Sequence, residues 1–579
     1  MFAAVARALA SLSLALKQPL SSFCDLATTD DGTLVGKRGE RVTFVRVQGL
    51  RRMILREDVE RVAEGLRLDL SGSLEATGHA IQAWYACDPD LSGPEIERHL
   101  RGSRTVAREL GLRLGGIFTE RERLWPRIMR WEACYLVLWS KPSLLNREER
   151  KQAAEERKQA GKGAPSVGDD AQSPFQANEI LSARHAAFVQ RVVSAFRNHD
   201  VGVQVMPPDQ ALVAVREAVY PETADSDWKP LLQGSDPMPR MPDADPAKGD
   251  AGLVLWPPIA DQLFFADAVT HGASRVTIGG HEWASVDMRV GPEDARPFAE
   301  LVARLNATHT PWRMSMLVEG GGRNMMRFKA VVATLLGFVP ANKPVFNAFS
   351  ELGRMREANA DIAVKLRASF ATWAPEGETG KLRRRAATLR QRIEGWGNCQ
   401  AATMAGDPLD GVMSSALGLA VASTAPAAAA PLGEVLRMLP WGRPASPWAD
   451  GSVLFRTPDG RMWPLDPSGS RRTMVLELFV APSGFGKSVL ANTVLLGLCL
   501  SSAAQGPGGA RLPLIGKLDI GPSAEGFVRL LQEALPSSRR GEAIYVPMQL
   551  ADGYGVNIFD TQLGCREPLP GIDPVRWTP

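Results

Sequence analysis

The sequence has few cysteines and histidines, and neither type is spaced as metal ligands or disulfide partners usually are. Its 579 residues include six cysteines and seven histidines, without a C-x-x-C, H-x-x-x-H or H-x-x-H pair. A disulfide-held secreted scaffold would be denser in cysteine, and a structural zinc site would show paired ligands. The pattern is typical of reduced thiols in a cytoplasmic protein, and it predicts no metal site other than nucleotide-bound magnesium.

Strong net charge and long apolar runs are lacking as well. The net charge is only +3, which gives no reason to expect a nucleic-acid or membrane surface as partner. The apolar stretch Met1–Leu16 is interrupted by Arg7 and has no basic segment before it, so an amphipathic helix is favoured over a signal peptide. Gly411–Gly433 is uncharged but only weakly apolar and contains two prolines. We expect a buried helix and a linker there, and no transmembrane span.

The length predicts several domains, beginning with a multidomain α+β region. Residues 1–145 form a first α+β subdomain, with strands at Val42–Val47, Gly78–Cys87 and Glu132–Trp139 and a helix at Glu95–Leu112. Residues 146–175 change abruptly to mixed charges and then to glycine, proline and serine, which indicates a charged, flexible linker.

A second α+β subdomain with a helical part is predicted at residues 176–421. Its predicted elements are a helix at Ala183–Asn198 and strands at Arg275–Ile278 and Trp283–Val290. Residues 422–438 are an Ala/Pro-rich linker and helix, and residues 439–579 are the first half of a P-loop ATPase domain. A hairpin is expected over Ser452–Pro464.

A basic helix is predicted at Lys381–Arg392, with Leu382 and Leu389 on its packed face. Its arginines would suit a phosphate-backbone contact strip. The favoured interpretation is the solvated face of an amphipathic helix, because runs of charged residues usually form such faces. In addition, no aromatic residues are interleaved with the arginines to stack bases. Nucleic acid is therefore a possible partner but not a favoured one.

The motif that carries chemistry is Ala481–Ser488, APSGFGKS. The apolar run Met474–Val480 before it predicts a central strand, and Val489–Cys499 after it predicts a helix. A strand, a glycine-containing loop and a helix in that order are the context that a P-loop requires. The match departs from G-x-x-x-x-G-K-[ST] only where Ala481 replaces the first glycine. The alternative is a glycine-rich turn with an incidental Lys-Ser pair.

Each residue type in the loop has a role in holding phosphates. Successive backbone N–H groups can curl round the β-phosphate at the start of the helix, and glycines permit the close approach. Lys487 would reach the β- and γ-phosphates, and the Ser488 hydroxyl would ligate Mg²⁺. ATP and Mg²⁺ are therefore the predicted ligands. The predicted nucleotide-binding residues are Pro482, Ser483, Gly484, Phe485, Gly486, Lys487, Ser488 and Val489.

The sequence after the loop lacks a clear Walker B segment. The apolar run Leu512–Ile520 contains Asp519, but Pro513 and Gly516 interrupt it and no second acid follows. A helix at Ala524–Leu535 and a strand at Ala543–Met548 are predicted next. Hydrolysis needs a carboxylate on magnesium and a group that orients water. We therefore expect an incomplete α/β domain of the RecA/HerA-like P-loop NTPase type, with no catalytic residue identified.

Several segments together closely resemble the IcmB/DotO ATPases of type IV-B secretion systems and the TraU-like proteins of IncI-type conjugation. Two N-terminal segments, Gly78–Asp90 and Glu132–Leu145, fit that pattern more weakly. The C-terminal segments that carry the resemblance are LPWGRPASPW (Leu439–Trp448), APSGFGKSVL (Ala481–Leu490), LDIGPSAEG (Leu518–Gly526) and VNIFDTQLGCREPLP (Val556–Pro570).

The resemblance implies a cytoplasmic ATPase that is peripheral to the inner membrane and forms a hexameric assembly at the base of a secretion channel. Its implied partners are ATP, inner-membrane components of the apparatus and a second cytoplasmic ATPase. Family members continue for several hundred residues beyond FDTQLGCR, whereas GIDPVRWTP does not resemble that continuation. We expect a truncated product that binds ATP but lacks the catalytic second half. A non-catalytic nucleotide-binding scaffold and a DNA-translocating motor are the alternatives.

Overall fold

The chain divides into two compact units, which are described separately. The sheet unit comprises the described residues of Met1–Glu95, Trp125–Pro447 and Phe455–Trp463. The P-loop unit comprises those of Ile96–Leu124, Trp448–Leu454 and Pro464–Pro579. The computed structural model describes residues 19–51, 56–160, 171–173, 178–224, 226–235, 256–322, 325, 354–355, 361–403, 406–469, 476–482, 484–501, 504–506, 509–519 and 523–547.

The sheet unit is built on one 13-stranded sheet, in which the described strands pair antiparallel. Its strands are β1 (Leu26–Asp30), β2 (Thr33–Gly36), β3 (Arg41–Leu50), β4 (His79–Asp88), β5 (Trp131–Ser140), β6 (Val201–Val205), β7 (Val269–His271), β8 (Arg275–Ile278), β9 (His281–Val290), β10 (Trp312–Glu319), β11 (Ala363–Pro375), β12 (Gln400–Ala402) and β13 (Ala428–Pro431). The order is β1-β2-β3-β5-β4-β10-β11-β9-β8-β7, with β6 on β3, β12 on β9 and β13 on β11. Strands from the ranges 1–145 and 176–421 thus share one sheet.

Helices are found in both units. They are α1 (Arg56–Leu74), α2 (Ser92–Glu109), α3 (Gly115–Leu124), α4 (Arg147–Ala160), α5 (Glu179–Asn198), α6 (Pro208–Val219), α7 (Ile259–Leu263), α8 (Phe298–Asn306), α9 (Thr379–Glu394), α10 (Pro408–Ser414), α11 (Leu432–Met438), α12 (Lys487–Cys499) and α13 (Ser523–Ala534). The described helices include none that is both long and apolar enough to cross a bilayer.

The large sheet is covered on both faces. The side chains of α1, α5 and α8 join one apolar cluster, while those of α6, α7 and α10 join the other. Successive residues of a strand point to opposite faces, so β4 contributes Tyr85 to the first cluster and Trp84 to the second. Burial on both faces explains why Gly78–Cys87 is almost continuously apolar.

A buried ionic cluster connects β5 to the segment after α11. Glu132 pairs with Arg443 and Arg461, each at 2.8 Å, and accepts a hydrogen bond from the Tyr85 hydroxyl at 2.8 Å. Arg443 also pairs with Asp459. Burial acts to raise the pKa of Glu132, but the two guanidinium groups outweigh it and hold that pKa below its ordinary value. Arg443, in the LPWGRPASPW segment, is thus a structural residue of the sheet unit.

The P-loop unit joins segments that are distant in sequence. The backbone N–H of Arg113 donates to Ala534 O at 2.9 Å, and Arg539 Nη1 donates to Leu110 O at 2.8 Å across 429 positions. The residues of α2 from Ile96 onward, together with α3, therefore pack in one unit with the C-terminal helix α13. The hairpin of β16 (Gln505–Gly506) with β17 (Gly509–Ala510) belongs to the P-loop unit. A second hairpin pairs β14 (Val453–Arg456) with β15 (Met462–Leu465), and its residues are divided between the two units.

Most predicted elements of the sheet unit are confirmed with small shifts of their bounds. Strands β3, β4, β5, β8 and β9 and helices α5 and α9 cover the predicted segments, and β14 and β15 form the predicted hairpin. The predicted helix at Glu95–Leu112 is α2, and the helix predicted in 422–438 is α11. The Ala/Pro-rich segment before α11 is not all linker, because Ala428–Pro431 forms β13 against β11. Met1–Leu16 lies outside the described residues.

The strands predicted around the P-loop are wrong where the structure describes them. The predicted strands are Met474–Val480 and Ala543–Met548, and their described residues, 476–480 and 543–547, have no regular structure. The interrupted apolar run after the loop is also irregular at residues 511–519. Leu476 and Leu478 are 96% and 85% exposed. A strand needs a neighbour for its backbone hydrogen bonds, and β-prone residues do not supply one by themselves. The predicted helices, in contrast, are confirmed as α12 and α13, because helical hydrogen bonds are made within the segment.

Candidate nucleotide-binding site

The loop before α12 has the backbone of an anion-binding turn. Gly484 and Gly486 have φ of 82° and 79°, in the left-handed region that side chains with a Cβ rarely adopt. A Cβ placed on either glycine would meet nothing within 4 Å. The backbone angle, rather than crowding, therefore requires glycine at both positions. Gly486 is also the N-cap residue of α12, so the turn leads directly into the helix.

Backbone donors at the start of α12 are available. The first bond of the helix runs from Leu490 N to Gly486 O at 2.9 Å. The N–H groups of Lys487, Ser488 and Val489 have no backbone acceptor among the described residues. Unpaired N–H groups at a helix N-terminus attract anions, because the helix dipole adds partial positive charge there. The local structure can therefore hold a phosphate group.

The side chains of the loop face solvent. Lys487 and Ser488 are exposed, and no hydrogen bond or ion pair within the described ranges engages either of them. Phe485 is 78% exposed and Val489 70%, while Pro482 is exposed and its carbonyl accepts from Phe485 N at 3.4 Å. Ser483, a predicted binding residue, lies outside the described residues. The structure thus brings the other predicted residues together on one accessible turn.

The side chain of Asp519 contacts the start of helix α13. Its Oδ2 accepts hydrogen bonds from the Ala524 N–H at 2.9 Å and from the Ser523 hydroxyl, at the first turn of α13. Lys517 Nζ lies 3.7 Å from the same oxygen. A carboxylate at this position stabilises a helix start. Asp519 therefore acts as a capping carboxylate for α13.

Two residues that the sequence did not single out connect the loop helix to this cap. Asn492 Oδ1, on α12, accepts from Lys517 Nζ at 2.6 Å, and Asn492 Nδ2 donates to Ser523 O at 3.2 Å. These contacts join α12 to the start of α13. Nothing in the local pattern marks Asn492, because its partners lie 25 and 31 positions away in the chain. The positions of Asn492 and Lys517 suit a supporting role rather than direct phosphate contact.

The basic helix α9 packs as predicted. Leu382, Leu389 and Ile393 are buried, and Arg383 and Arg384 are exposed. Lys381 pairs with Glu378 at 2.8 Å, and Arg390 pairs with Glu394 at 2.9 Å. Part of the positive charge is therefore compensated locally, as expected for a solvated helix face.

No protein-family model matches the sequence, and no curated protein matches it either. The assignment of a function therefore depends on the geometry of the loop and on the sequence resemblance.

Proposed function

We propose that the P-loop unit binds the β- and γ-phosphates of ATP, together with Mg²⁺, at Ala481–Ser488. The observation that carries this proposal is the pair of left-handed glycines, Gly484 and Gly486, directly before a helix whose first N–H groups have no backbone acceptor within the described ranges. A turn of this kind costs conformational energy unless glycine is present, and it is typical of phosphate cradles.

The side chains at the helix start complete the proposed site. Lys487 would pair with the β- and γ-phosphates, and the Ser488 hydroxyl would hold Mg²⁺. Magnesium bridges the phosphate oxygens and neutralises part of their charge when it is bound. Both side chains are exposed and without a partner in the described part of the chain, so binding would not have to break an existing interaction. Val489 would contribute only its backbone N–H.

We also propose, on the resemblance of the C-terminal segments alone, that nucleotide binding serves a type IV secretion or conjugation ATPase. In that role the protein would be cytoplasmic and held at the inner membrane by partners, including a second ATPase. The resemblance further suggests a hexameric assembly.

Binding without turnover is the second candidate. Asp519 is occupied by the first turn of α13, and no ion pair or hydrogen bond in the described ranges links an acidic side chain to Lys487 or Ser488. A nucleotide-binding scaffold would need only the phosphate-binding turn and no acidic catalytic residue beside it. Phosphate release from the purified chain with ATP and Mg²⁺ separates the two candidates. Turnover that Lys487→Ala abolishes would favour the enzyme, and binding without release would favour the scaffold.

A melting experiment tests the binding proposal itself. A ligand that binds only the folded state stabilises it by about 2.7 kcal/mol at a concentration 100 times its Kd. ATP with Mg²⁺ should therefore raise the Tm of the P-loop unit by several degrees, whereas AMP, which lacks the β- and γ-phosphates, should not. Lys487→Ala should remove most of the shift. Arg529→Ala, which removes an exposed cation on α13 of the same unit, should retain it. Equal shifts with ATP and AMP would contradict the proposal.

A further inference from the structure

A small pocket lies over β4 and β5 in the sheet unit, on the face that is packed against α6 and α7. We call it the aromatic pocket. Its cavity measures about 40 Å³, which is space for roughly three water-sized groups. The pocket is thus too small for a nucleotide and large enough for the end of a side chain. Its lining includes three tryptophans, two alanines and one carboxylate: Trp84, Trp131, Trp373, Ala86, Ala133 and Asp88.

The register of β4 and β5 explains why a depression forms there. Ala86 lies opposite Ala133, and this pair of small residues is the floor of the pocket. The neighbouring pairs on the same face are Trp84 with Tyr135 and Asp88 with Trp131. Side chains two residues apart share a face, so large groups stand on both sides of the alanine floor.

Asp88 supplies a buried negative charge to this pocket. It is only 3% exposed, and its Oδ1 accepts one hydrogen bond, from Asp90 N at 2.9 Å. Among the described residues no donor reaches Oδ2. Burial raises the pKa of Asp88 to about 6. His281 and Arg385 act to lower that pKa. Neither donates a hydrogen bond to Oδ2, so this oxygen can accept one from a cationic donor in the pocket.

Arg313 also lines the pocket, but its nitrogens are engaged. Nε donates to Ser415 Oγ at 2.9 Å, Nη2 donates to Val412 O at 2.8 Å, and Nη1 donates to Ala218 O. The guanidinium lies over the ring of Trp283, 4.2 Å from its centroid. These contacts direct the arginine to the protein rather than to a ligand.

We propose that the aromatic pocket binds the ammonium end of an alkylamine, as carried by a free amine or by a lysine side chain of a partner. Trp84, Trp131 and Trp373 line the pocket, and indole rings attract cations. Asp88 accepts a hydrogen bond from the ammonium, and Glu217 at the partly exposed side of the pocket adds a second negative charge. The size of the cavity favours an ammonium over the larger guanidinium group.

Ligand-observed NMR titrations of the full chain test the proposal with probes of nearly equal size. n-Butylammonium should bind at least tenfold more tightly than 1-butanol, and butyrate should not bind. Nα-acetyl-lysine N-methylamide represents the side chain of a protein partner. If it binds as tightly as n-butylammonium, the pocket accepts lysine; if only n-butylammonium binds, the ligand is a free amine. Equal affinity for 1-butanol, or tighter binding of butyrate, would overturn the proposal.

Substitutions locate the binding. Asp88→Asn should lower the affinity for n-butylammonium to that for 1-butanol, while Asp90→Asn, the same charge change two residues away and exposed, should alter it less than twofold. Ala133→Leu fills the floor without touching the carboxylate and should abolish binding of both probes. The folded state of each variant is checked by its melting curve. Undiminished binding of n-butylammonium by Asp88→Asn and Ala133→Leu would place the site elsewhere and refute the proposal.

Discussion

The sheet unit and the P-loop unit place the same apolar residue types in different environments. In the sheet unit Leu66 and Leu70 are fully buried in a cluster under the sheet. In the P-loop unit Leu476 and Leu514 are 96% and 97% exposed, although both lie in apolar runs of the sequence. The difference shows that apolar composition leads to burial only where paired strands and helices provide a surface to pack against.

Charged residues differ in the same way. Glu132 of the sheet unit has a side-chain exposure of only 5% and pairs with two arginines. Glu120 of the P-loop unit pairs with Arg123 on the helix surface, where both side chains are more than half exposed. Buried ions depend on their partners, whereas exposed ions are already solvated by water. Matched substitutions in the two units can therefore test the comparison.

The largest loss of unfolding free energy is expected for Glu132→Gln. The substitution keeps the shape of the side chain but leaves Arg443 and Arg461 without their shared carboxylate, which should cost about 3–5 kcal/mol of unfolding free energy. Urea denaturation measures it. Glu120→Gln, the same change in the P-loop unit, should cost less than about 1 kcal/mol. A similar cost for both variants would remove the distinction between the two units.

A leucine pair tests burial of apolar side chains. Leu66→Ala should destabilise the sheet unit by about 2–5 kcal/mol, because it removes a buried side chain and leaves a cavity. Leu514→Ala should change stability by no more than about 0.5 kcal/mol. Denaturation midpoints of the two variants provide the measurement. A loss of more than 1 kcal/mol for Leu514→Ala would mean that residues 511–519 are packed in solution.

Acid should weaken the sheet unit through His185. This ring lies between Ser140 Oγ and Thr43 Oγ1, each 2.8 Å from a ring nitrogen, and burial lowers its pKa from 6.5 to about 3, with His79 and Arg41 adding to the shift. The folded state therefore binds fewer protons than the unfolded state below pH 6.5. The contribution of a neutral His185 to the free energy of unfolding is fully present above that pH and is lost as the pH falls towards 3. At pH 4 the loss is on the order of 3 kcal/mol.

Denaturation between pH 7 and pH 4 measures this dependence. His185→Gln retains hydrogen-bonding capacity but cannot gain a proton in that range, so its stability should fall less steeply with decreasing pH. An unchanged slope in the variant would show that His185 is not the group responsible.

The smallest change in stability is expected at the P-loop itself. Gly486→Ala forces alanine to a φ of 79°, which should cost about 1–2 kcal/mol. Its effect on ATP binding should be larger than on folding, because the substitution disturbs the turn that presents the N–H groups. Gly526→Ala is a matched control: this glycine lies inside α13, and alanine should stabilise the helix by about 0.5–1 kcal/mol. Equal ATP affinities for the two variants would contradict a role for the left-handed turn.

The comparison also explains how far the sequence predicts the structure. Periodicity and residue type place α5, α9, α12 and α13 and the buried strands of the large sheet, because these signals are local or reflect burial on both faces. The order of the strands depends on contacts between distant segments, so no local pattern reveals it. The strand predicted at Met474–Val480 is wrong over its described residues because a paired neighbour, not composition, makes a strand.

In the candidate site, too, local features could be predicted and contacts between distant segments could not. Gly484, Gly486, Lys487 and Ser488 could be predicted because the loop, its glycines and its helix are contiguous in sequence. The support from Asn492 and Lys517 could not, since it arises from packing of α12 against the segment before α13. The aromatic pocket could not be predicted from the sequence either, because Ala86 and Ala133 lie opposite each other only through the register of two strands.

Equilibrium dialysis of the purified full chain against ATP with Mg²⁺ tests the central claim most directly. We expect saturable binding that Lys487→Ala weakens roughly 10- to 100-fold, because the lysine makes charge-assisted hydrogen bonds worth about 1.5–3 kcal/mol. Arg529→Ala should bind as the unaltered protein does. Absence of saturable binding, or equal affinities for Lys487→Ala and the unaltered chain, would contradict the assignment of Ala481–Ser488 as the nucleotide site.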